Sequence, residues 1–378
     1  MDNNQASINL HRRRRGKIAI QPKVRLKTRQ DLSLAYSPGV GAVSLAIAKN
    51  PEESWQLTNR ANQIAIVSDG TAILGLGDIG PEAGMPVMEG KAVIFKEFAG
   101  IDAFPLCIKA KEVDEIVLFC RQLEPSFAGI NLEDISAPRC FAILERLEKE
   151  LNIPVFHDDQ DGTAIVVLAA LINAGRVLKK PIKKAKIVIN GAGAAGLAIA
   201  RLLLAYGVSD ISLADTRGAI YHGRPDLNPY KKALAEKTNQ QGQKGELAAL
   251  LVKADVFIGV SQAGALQPDM IKKMNPKPII FAMANPVPEI MPAEAHQAGA
   301  GLVGTGRSDF PNQINNALVF PGLFRGLLDK RIKIVSLKMK LAAALAIAKS
   351  VKPTLSNILP NITNKNIVKI IANAIKRA

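Results

Sequence analysis

The 378-residue sequence is poor in cysteine, aromatic residues and long apolar runs. Its three cysteines, Cys107, Cys120 and Cys140, are too few and too irregularly spaced for a disulfide framework or a cysteine metal site. Reduced thiols of this kind favour a cytoplasmic location. The longest apolar run, residues 162–175, is shorter than the roughly 18 residues that cross a bilayer, so it predicts a buried helix. No secretory signal is recognisable either, because polar residues lead directly into Arg12–Arg15.

Acidic residues are absent after Asp329, and the net charge of +16 is concentrated at the two ends of the chain. Residues 1–30 hold nine Lys or Arg and one acid, whereas residues 330–378 hold eleven and no acid. Basic ends are found in proteins that bind nucleic acid or anionic membranes. Aromatic residues make up only 4% of the chain, however, and the C-terminal lysines lie at helical spacing among alanines and leucines. We therefore expect solvated helix faces, or charge facing an acidic partner subunit, and no nucleic-acid or membrane partner.

The apolar segments alternate between strand-like and helix-like patterns, which is typical of an α/β fold. Strand-like runs in the first half are residues 64–70, 91–100 and 103–108, and helix-like runs are 111–123 and 138–151. Strand-like runs of a second series are residues 186–190, 210–215, 254–260, 278–285 and 300–306.

These patterns predict three parts. An N-terminal α/β domain covers 1–155, a doubly wound parallel sheet covers 156–329, and helices over 330–378 pack back on the first domain. Residues 216–245, rich in polar residues and glycine, are expected to form an exposed connection.

A glycine-rich segment follows the strand-like run 186–190 and leads into an apolar helix. It consists of Gly191, Ala192, Gly193, Ala194, Ala195 and Gly196. Glycines there allow a tight turn and close backbone approach, and the helix N-terminus offers free N–H groups to a pyrophosphate. Asp215 lies 19 residues after Gly196, at the end of the next strand, where it would accept hydrogen bonds from the ribose of NAD. Arg217 could still meet the 2′-phosphate of NADP, so NAD is favoured without NADP being excluded.

Two pairs of adjacent carboxylates precede this fingerprint. Glu133 and Asp134 lie 25 residues before Asp158 and Asp159. Adjacent carboxylates repel each other, so two pairs near a ligand pocket are costly unless a hard cation or a lysine neutralises them. The pattern predicts a metal-assisted oxidoreductase, although Glu133 and Asp134 could instead cap the helix that follows them.

Several longer motifs resemble the short bacterial form of malic enzyme. They are LAYSPGVG, GLGDIGPEAGMPVMEGKAVIFKEFAGIDA, NLEDISAP, PVFHDDQDGTA, GAGAAG, AMANPVPE and RSDFPNQINNALVFPG. The resemblance extends from about residue 16 to the C-terminus. It implies that the first domain carries the substrate and metal and that the second is a Rossmann-type NAD(P) domain. It also implies oxidative decarboxylation of (S)-malate to pyruvate and CO₂ by a homodimer.

The same resemblance implies roles for individual residues. Glu133, Asp134 and Asp159 would hold Mg²⁺ or Mn²⁺, which suits a hard cation. Lys91 would take the hydroxyl proton of malate, which requires that burial and the metal lower its pKa, and Asp158 would orient it.

Further residues would act on the substrate and the cofactor. Tyr36 would donate the proton to C3 after CO₂ leaves. Asn285, and either Asn315 or Asn316, would contact substrate and nicotinamide, while Ser261 lies where such sheets contact the cofactor.

Two positions depart from relatives. Asp161 replaces the usual His or Gln and adds a third acid within four positions, which could pair with a basic residue or weaken the cofactor site. Thr71 and Ala72 stand where animal enzymes carry a substrate-binding arginine, as in other short bacterial forms.

The main alternative function is a metal-independent NAD-dependent hydroxy-acid or amino-acid dehydrogenase, which would share the Rossmann domain without needing the paired carboxylates.

Overall fold

The computed structural model describes residues 3–378, which fold into two sheets covered by helices. Before and within the first sheet lie α1 (Asn3–Arg14), α2 (Arg29–Ala35), α3 (Val40–Lys49), α4 (Ser54–Leu57), β1 (Gln63–Ser68), α5 (Pro81–Ala99), β2 (Asp102–Cys107), α6 (Val113–Leu123), β3 (Ile130–Leu132), α7 (Arg139–Glu150) and β4 (Val155–His157). These strands form a parallel sheet in the order β2-β1-β3-β4.

The second sheet has six strands in the order β10-β9-β8-β5-β6-β7, and its two-residue edge strand β7 is antiparallel. Its elements are α8 (Thr163–Val177), β5 (Lys186–Asn190), α9 (Ala194–Tyr206), β6 (Asp210–Asp215), β7 (Gly218–Ala219), α10 (Pro229–Ala235), α11 (Leu247–Leu250), β8 (Val256–Gly259), α12 (Pro268–Ile271), β9 (Ile279–Ala282), α13 (Pro292–Gln297) and β10 (Leu302–Thr305). The strand order reverses between β5 and β8, which is where ligands bind in sheets of this kind.

Three longer helices complete the chain: α14 (Phe320–Lys330), α15 (Leu337–Lys349) and α16 (Asn366–Arg377). Phe320 of α14 packs against Phe95 of α5, with ring centroids 4.6 Å apart, and α16 packs on α14. Helix α15 packs instead on α8 and α9. The last helices therefore contact both halves of the molecule.

The run 91–100 was expected to be a strand, and that prediction was wrong, since it forms the second half of α5. Pro81 starts this helix, Gly100 ends it in the left-handed conformation, and Met88, Ala92 and Phe95 form its buried face at helical spacing. The short apolar run 91–100 is compatible with the periodicity of a strand or of a helix when it is considered alone. The whole 19-residue segment is needed to identify it as a helix. The predicted buried helix at 162–175 is confirmed as α8.

The segment 216–245 is less exposed than its composition indicated. It contributes the edge strand β7 and the helix α10, and it buries Leu227, Leu234 and Ala235. The three cysteines are free, as expected from the sequence.

Residues 29–49 form the one stretch of the described chain that is long and apolar enough to cross a membrane. A turn over residues 36–39 separates α2 from α3 within it. None of the residues in these two helices is buried, and Leu34 and Leu45 are 68% and 73% exposed. Exposed apolar side chains are therefore gathered in two helices that are consecutive in the chain.

Candidate active site at the carboxyl ends of the first sheet

The two carboxylate pairs meet because β3 and β4 are neighbouring parallel strands. Leu132 at the end of β3 is in register with His157 at the end of β4, so the residues that follow leave the sheet side by side. Ligand oxygens of Glu133, Asp134 and Asp159 all lie within 4.8 Å of one another. The backbone N–H of Asp134 donates to Asp159 at 2.7 Å. Asp134 adopts a left-handed φ of 52°, a conformation that non-glycine residues keep mainly where the surroundings require it.

Lys91 reaches this cluster from α5. Its Nζ lies 2.8 Å from Oε1 of Glu133 and also contacts the carboxylate of Asp158. The lysine is largely buried and its ammonium group lies 4.8 Å from the ring centroid of Phe320. The structure therefore brings together Lys91, Asp158 and the three predicted metal ligands.

The electrostatics of Lys91 differ from the prediction that its pKa would be lowered. Burial does lower the pKa of Lys91, but the nearby carboxylates of Asp158 and Glu133 raise it more, so the net pKa lies above its ordinary value. A divalent cation bound to the same carboxylates would offset their charge and favour a lower pKa of Lys91.

The pKa values of the carboxylates are raised as well, so their charged forms are disfavoured. Burial and the neighbouring Asp159 raise the pKa of Asp134 to about 8, and burial raises the pKa of Asp158 to about 6. Burial likewise raises the pKa of Glu133 well above its ordinary value. Oδ2 of Asp134 is buried without a hydrogen-bond partner among residues 3–378. One lysine does not neutralise four acids, so the donor set fits a divalent cation with oxygen ligands.

Asp161 has a cationic partner of its own. Its Oδ2 lies 2.7 Å from Nζ of Lys340 on α15, and both side chains are mostly buried. Glu148 of α7 is close enough to Lys340 for that lysine to lower its pKa, although burial raises it overall. Of the two outcomes considered for Asp161 in the sequence, the structure thus shows the pairing with a basic residue.

A second hydrogen-bond network surrounds Thr71. Thr71 donates to Asp69 at 2.6 Å and accepts from Nη2 of Arg139 at 3.0 Å. Arg139 also pairs with Asp69 and donates to Ser136. Arg139 lies five residues after Asp134 in NLEDISAPR and was not among the predicted site residues.

Tyr36 lies at the end of α2 and is 68% exposed. Its hydroxyl forms no hydrogen bond among residues 3–378. The described residues thus show no contact between the predicted proton donor and the carboxylate cluster.

The dinucleotide fingerprint has the expected geometry after β5. Gly191 has a φ of 113°, and a Cβ there would lie 2.4 Å from the carbonyl oxygen of Val260. A Cβ on Gly196 would lie 1.8 Å from the carbonyl oxygen of Gly191. Gly193, Ala194 and Ala195 form the turn and first residues of α9, so the helix N-terminus is open to a phosphate.

Asp215 ends β6 as predicted, but its carboxylate is already engaged. Arg224 donates to both of its oxygens at 2.9 and 3.0 Å, and Lys231 donates to Oδ2 at 2.6 Å. Burial alone would raise the pKa of Asp215, but the bonds from Lys231, Arg217 and Arg224 outweigh it and lower the pKa. Sequence reasoning missed Arg224, which is 6% exposed and lies nine residues after Asp215.

Three predicted contacts follow other strands of the second sheet. Ser261 comes after β8 and its hydroxyl accepts from Asn190 at 2.8 Å, while Asn285 is exposed after β9. The Asn315 side chain caps a turn by accepting from the backbone of Ala317 at 2.9 Å.

Asn316 is placed differently from its neighbour. A Cβ on Gly162, in the π-helical turn that carries Asp158, would lie 3.3 Å from the Cβ of Asn316. Of the two asparagines, Asn316 is therefore the one that lies close to the turn carrying Asp158.

Comparisons with known proteins agree with this geometry. The family model of the malic enzyme N-terminal domain matches residues 15–148, and that of the malic enzyme NAD binding domain matches residues 160–378. A bifunctional malic/malolactic enzyme of Bacillus subtilis is 52% identical, over 99% of this chain and 92% of its own length. An NAD-dependent malic enzyme of Geobacillus stearothermophilus is 52% identical over 96% of this chain and 76% of its own length. NADP-dependent malic enzymes are also among the relatives.

Solved structures give the same result. The crystal structure of an NAD-dependent malic enzyme from Thermotoga maritima superposes with a TM-score of 0.95 at 48% identity, covering 100% of this chain and 99% of that one. The malic enzyme from Pyrococcus horikoshii superposes with a TM-score of 0.91 at 47% identity, covering 96% and 86%. The predicted α/β fold class is confirmed, and the chain belongs to the malic enzyme family.

Proposed function

We propose that this chain catalyses the oxidative decarboxylation of (S)-malate to pyruvate and CO₂ with reduction of NAD(P)⁺. The observation that carries the proposal is the meeting of Lys91 with the carboxylates of Glu133, Asp134, Asp158 and Asp159 at the ends of β3 and β4. A dehydrogenase that needed no metal would have no use for three acids, two of them buried, converging on one point.

The protein residues would divide the chemistry between them. Glu133, Asp134 and Asp159 would hold Mg²⁺ or Mn²⁺, which supplies Lewis-acid polarisation of the substrate's C2 oxygen. Lys91 would take the proton from the C2 hydroxyl, with Asp158 orienting its ammonium group. Asn285 and Asn316 would hold the substrate and the nicotinamide through neutral amides, which add no charge beside the carboxylates.

For the cofactor, we propose NAD⁺ with tolerance of NADP⁺. Gly191, Gly193 and Gly196 would receive the pyrophosphate. Asp215 would face the adenosine ribose, but Arg224 and Lys231 neutralise its charge, so its repulsion of a 2′-phosphate is weakened.

We also propose a homodimer in which Tyr36 is supplied by the partner subunit. The proposal is supported by the exposure of Tyr36 and by the exposed apolar side chains of α2 and α3. A second copy of this chain is the simplest partner that would bury them. The exposed Tyr36 would then donate its proton to C3 of the product enol in the neighbouring site. The cytoplasmic location predicted from the sequence is compatible with this assembly.

The function is tested by following absorbance at 340 nm with malate, Mn²⁺ and either NAD⁺ or NADP⁺, and by identifying the product. Pyruvate and reduced cofactor in equal amounts support the proposal. Lactate formed without net reduced cofactor would favour the malolactic reaction that the name of the Bacillus subtilis relative includes.

The origin of Tyr36 is tested by mixing two inactive variants, Tyr36→Phe and Lys91→Met, after unfolding and refolding them together. If the partner supplies Tyr36, about a quarter of wild-type activity returns, since half of the dimers are mixed and one of their two sites is intact. No recovery, despite mixed dimers detected by native mass spectrometry, would place Tyr36 and Lys91 of one site on the same chain.

A further inference from the structure

Glu289 is a fully buried carboxylate that no step proposed above uses. It is 0% exposed and forms no ion pair with any lysine, arginine or histidine in the described part of the chain. Burial raises its pKa, while backbone N–H donors oppose that shift. Burying a carboxylate without a cationic partner costs free energy, so its hydrogen bonds must compensate for that cost.

The two carboxylate oxygens of Glu289 bind two different loops. Oε1 accepts from the backbone N–H of Ser261 at 3.0 Å, and Oε2 accepts from the backbone N–H of Ala284 at 3.0 Å. Gly259 at the end of β8 leaves room for this group, because a Cβ there would lie 2.4 Å from the carboxylate carbon. The carboxylate therefore joins the loop after β8 to the loop after β9.

Those loops carry two of the proposed cofactor contacts. Ser261 is itself bonded by Glu289, and Asn285 directly follows Ala284. Strands β8 and β9 are neighbours in the parallel sheet, and ligands of such sheets bind outside the carboxyl ends of the strands. Asn190 of β5 fixes the Ser261 hydroxyl from the other side.

We propose that Glu289 is a positioning residue for the nicotinamide half of the cofactor: its carboxylate bridges the two loops and holds Ser261 and Asn285 in the geometry that receives the ring. This inference rests on the proposed function, in which Asn285 contacts substrate and nicotinamide, and on the sequence-based prediction that Ser261 contacts the cofactor. Glu289 touches neither and acts through them. A glutamine cannot replace it, because glutamine has one acceptor oxygen and its amide N–H₂ would face a second N–H donor.

The test compares Glu289→Gln with Glu294→Gln in the full-length protein. Glu294 is the matched control, since its carboxylate accepts one backbone N–H, from Met291, at the start of α13 in the same region of the chain. We expect Glu289→Gln to raise KM for NAD⁺ about tenfold to a hundredfold, the loss that follows from a broken charge-assisted bond. Mn²⁺ affinity should stay unchanged because the carboxylate cluster belongs to the other sheet, and Glu294→Gln should change neither quantity.

Glu289→Asp covers the case in which the glutamine variant does not fold. It keeps the charge but is one methylene shorter, so it can reach only one loop, and KM for NAD⁺ should rise with it too. An unchanged KM for NAD⁺ in whichever of the two variants folds would overturn the inference.

Ser261→Ala and Asn285→Ala separate this inference from the proposed function. If both raise KM for NAD⁺ and the Glu289 variants do not, the bridge is refuted while the cofactor contacts stand. If neither raises it, the proposed cofactor contacts are refuted, and the role of Glu289 falls with them.

Discussion

Replacing Lys340 with methionine should destabilise the protein by leaving Asp161 without its partner. Lys340 and Asp161 are 2.7 Å apart, with side chains 17% and 14% exposed, and Glu148 loses the same neighbouring cation. Removing one member of a fully buried pair costs about 3–5 kcal/mol; the partial exposure here lowers our expectation to about 2–3 kcal/mol.

The assay is urea unfolding followed by circular dichroism, with Asp161→Asn and the double variant completing a thermodynamic cycle. We expect the double variant to recover at least about 1 kcal/mol of the summed losses, since the two side chains are in contact. A loss below about 0.5 kcal/mol for Lys340→Met would refute the reasoning that Lys340 neutralises Asp161. Asp161→Gln should keep turnover near that of the wild type, because Asp161 is paired away from the metal ligands.

Three further predictions concern the site itself. Asp134→Asn removes a buried carboxylate whose pKa is raised to about 8, so the melting temperature of the metal-free protein should rise by about 2 °C or more. The increase in melting temperature on adding Mn²⁺ should disappear in this variant. A melting temperature below that of the wild type in calorimetry would contradict this prediction. Tyr36→Phe should abolish malate turnover without lowering the melting temperature, because the side chain is exposed on its own subunit; near-normal turnover would exclude it as proton donor. Arg224→Ala should shift the ratio of kcat/KM values towards NAD⁺ and away from NADP⁺ by about tenfold, since Asp215 then keeps Lys231 as its one cationic side-chain partner and repels a 2′-phosphate more strongly. An unchanged ratio would remove Arg224 from cofactor selection.

The carboxylate site could be predicted from the sequence because it depends on short-range order. Glu133 and Asp158 each follow a strand directly, and neighbouring parallel strands bring the residues after them together. The glycine fingerprint was equally local, since Gly191 and Gly196 define a turn between β5 and α9.

What could not be predicted depends on contacts between distant residues. Asp161 and Lys340 are 179 positions apart, and no periodicity links them. The neutralisation of Asp215 by Arg224 required the fold of a segment that its composition presented as an exposed connection. The pKa of Lys91 also depends on geometry, because the balance between burial and facing carboxylates cannot be read from spacing alone.

The position of Tyr36 illustrates a further limit. The motif around it indicates a catalytic role, but a motif does not specify which copy of the chain completes a site. Our proposal that the partner supplies Tyr36 depends instead on the surface of α2 and α3, whose leucines are not buried.

The most direct test of the metal site is a calorimetric titration of Mn²⁺ into the metal-free, full-length protein and its Asp159→Asn variant, with the exposed Asp114→Asn as control. We expect about one ion per chain for the wild type and for Asp114→Asn, and at least about tenfold weaker binding for Asp159→Asn. Equal Mn²⁺ affinity in all three proteins would contradict the assignment of Glu133, Asp134 and Asp159 as the ligands.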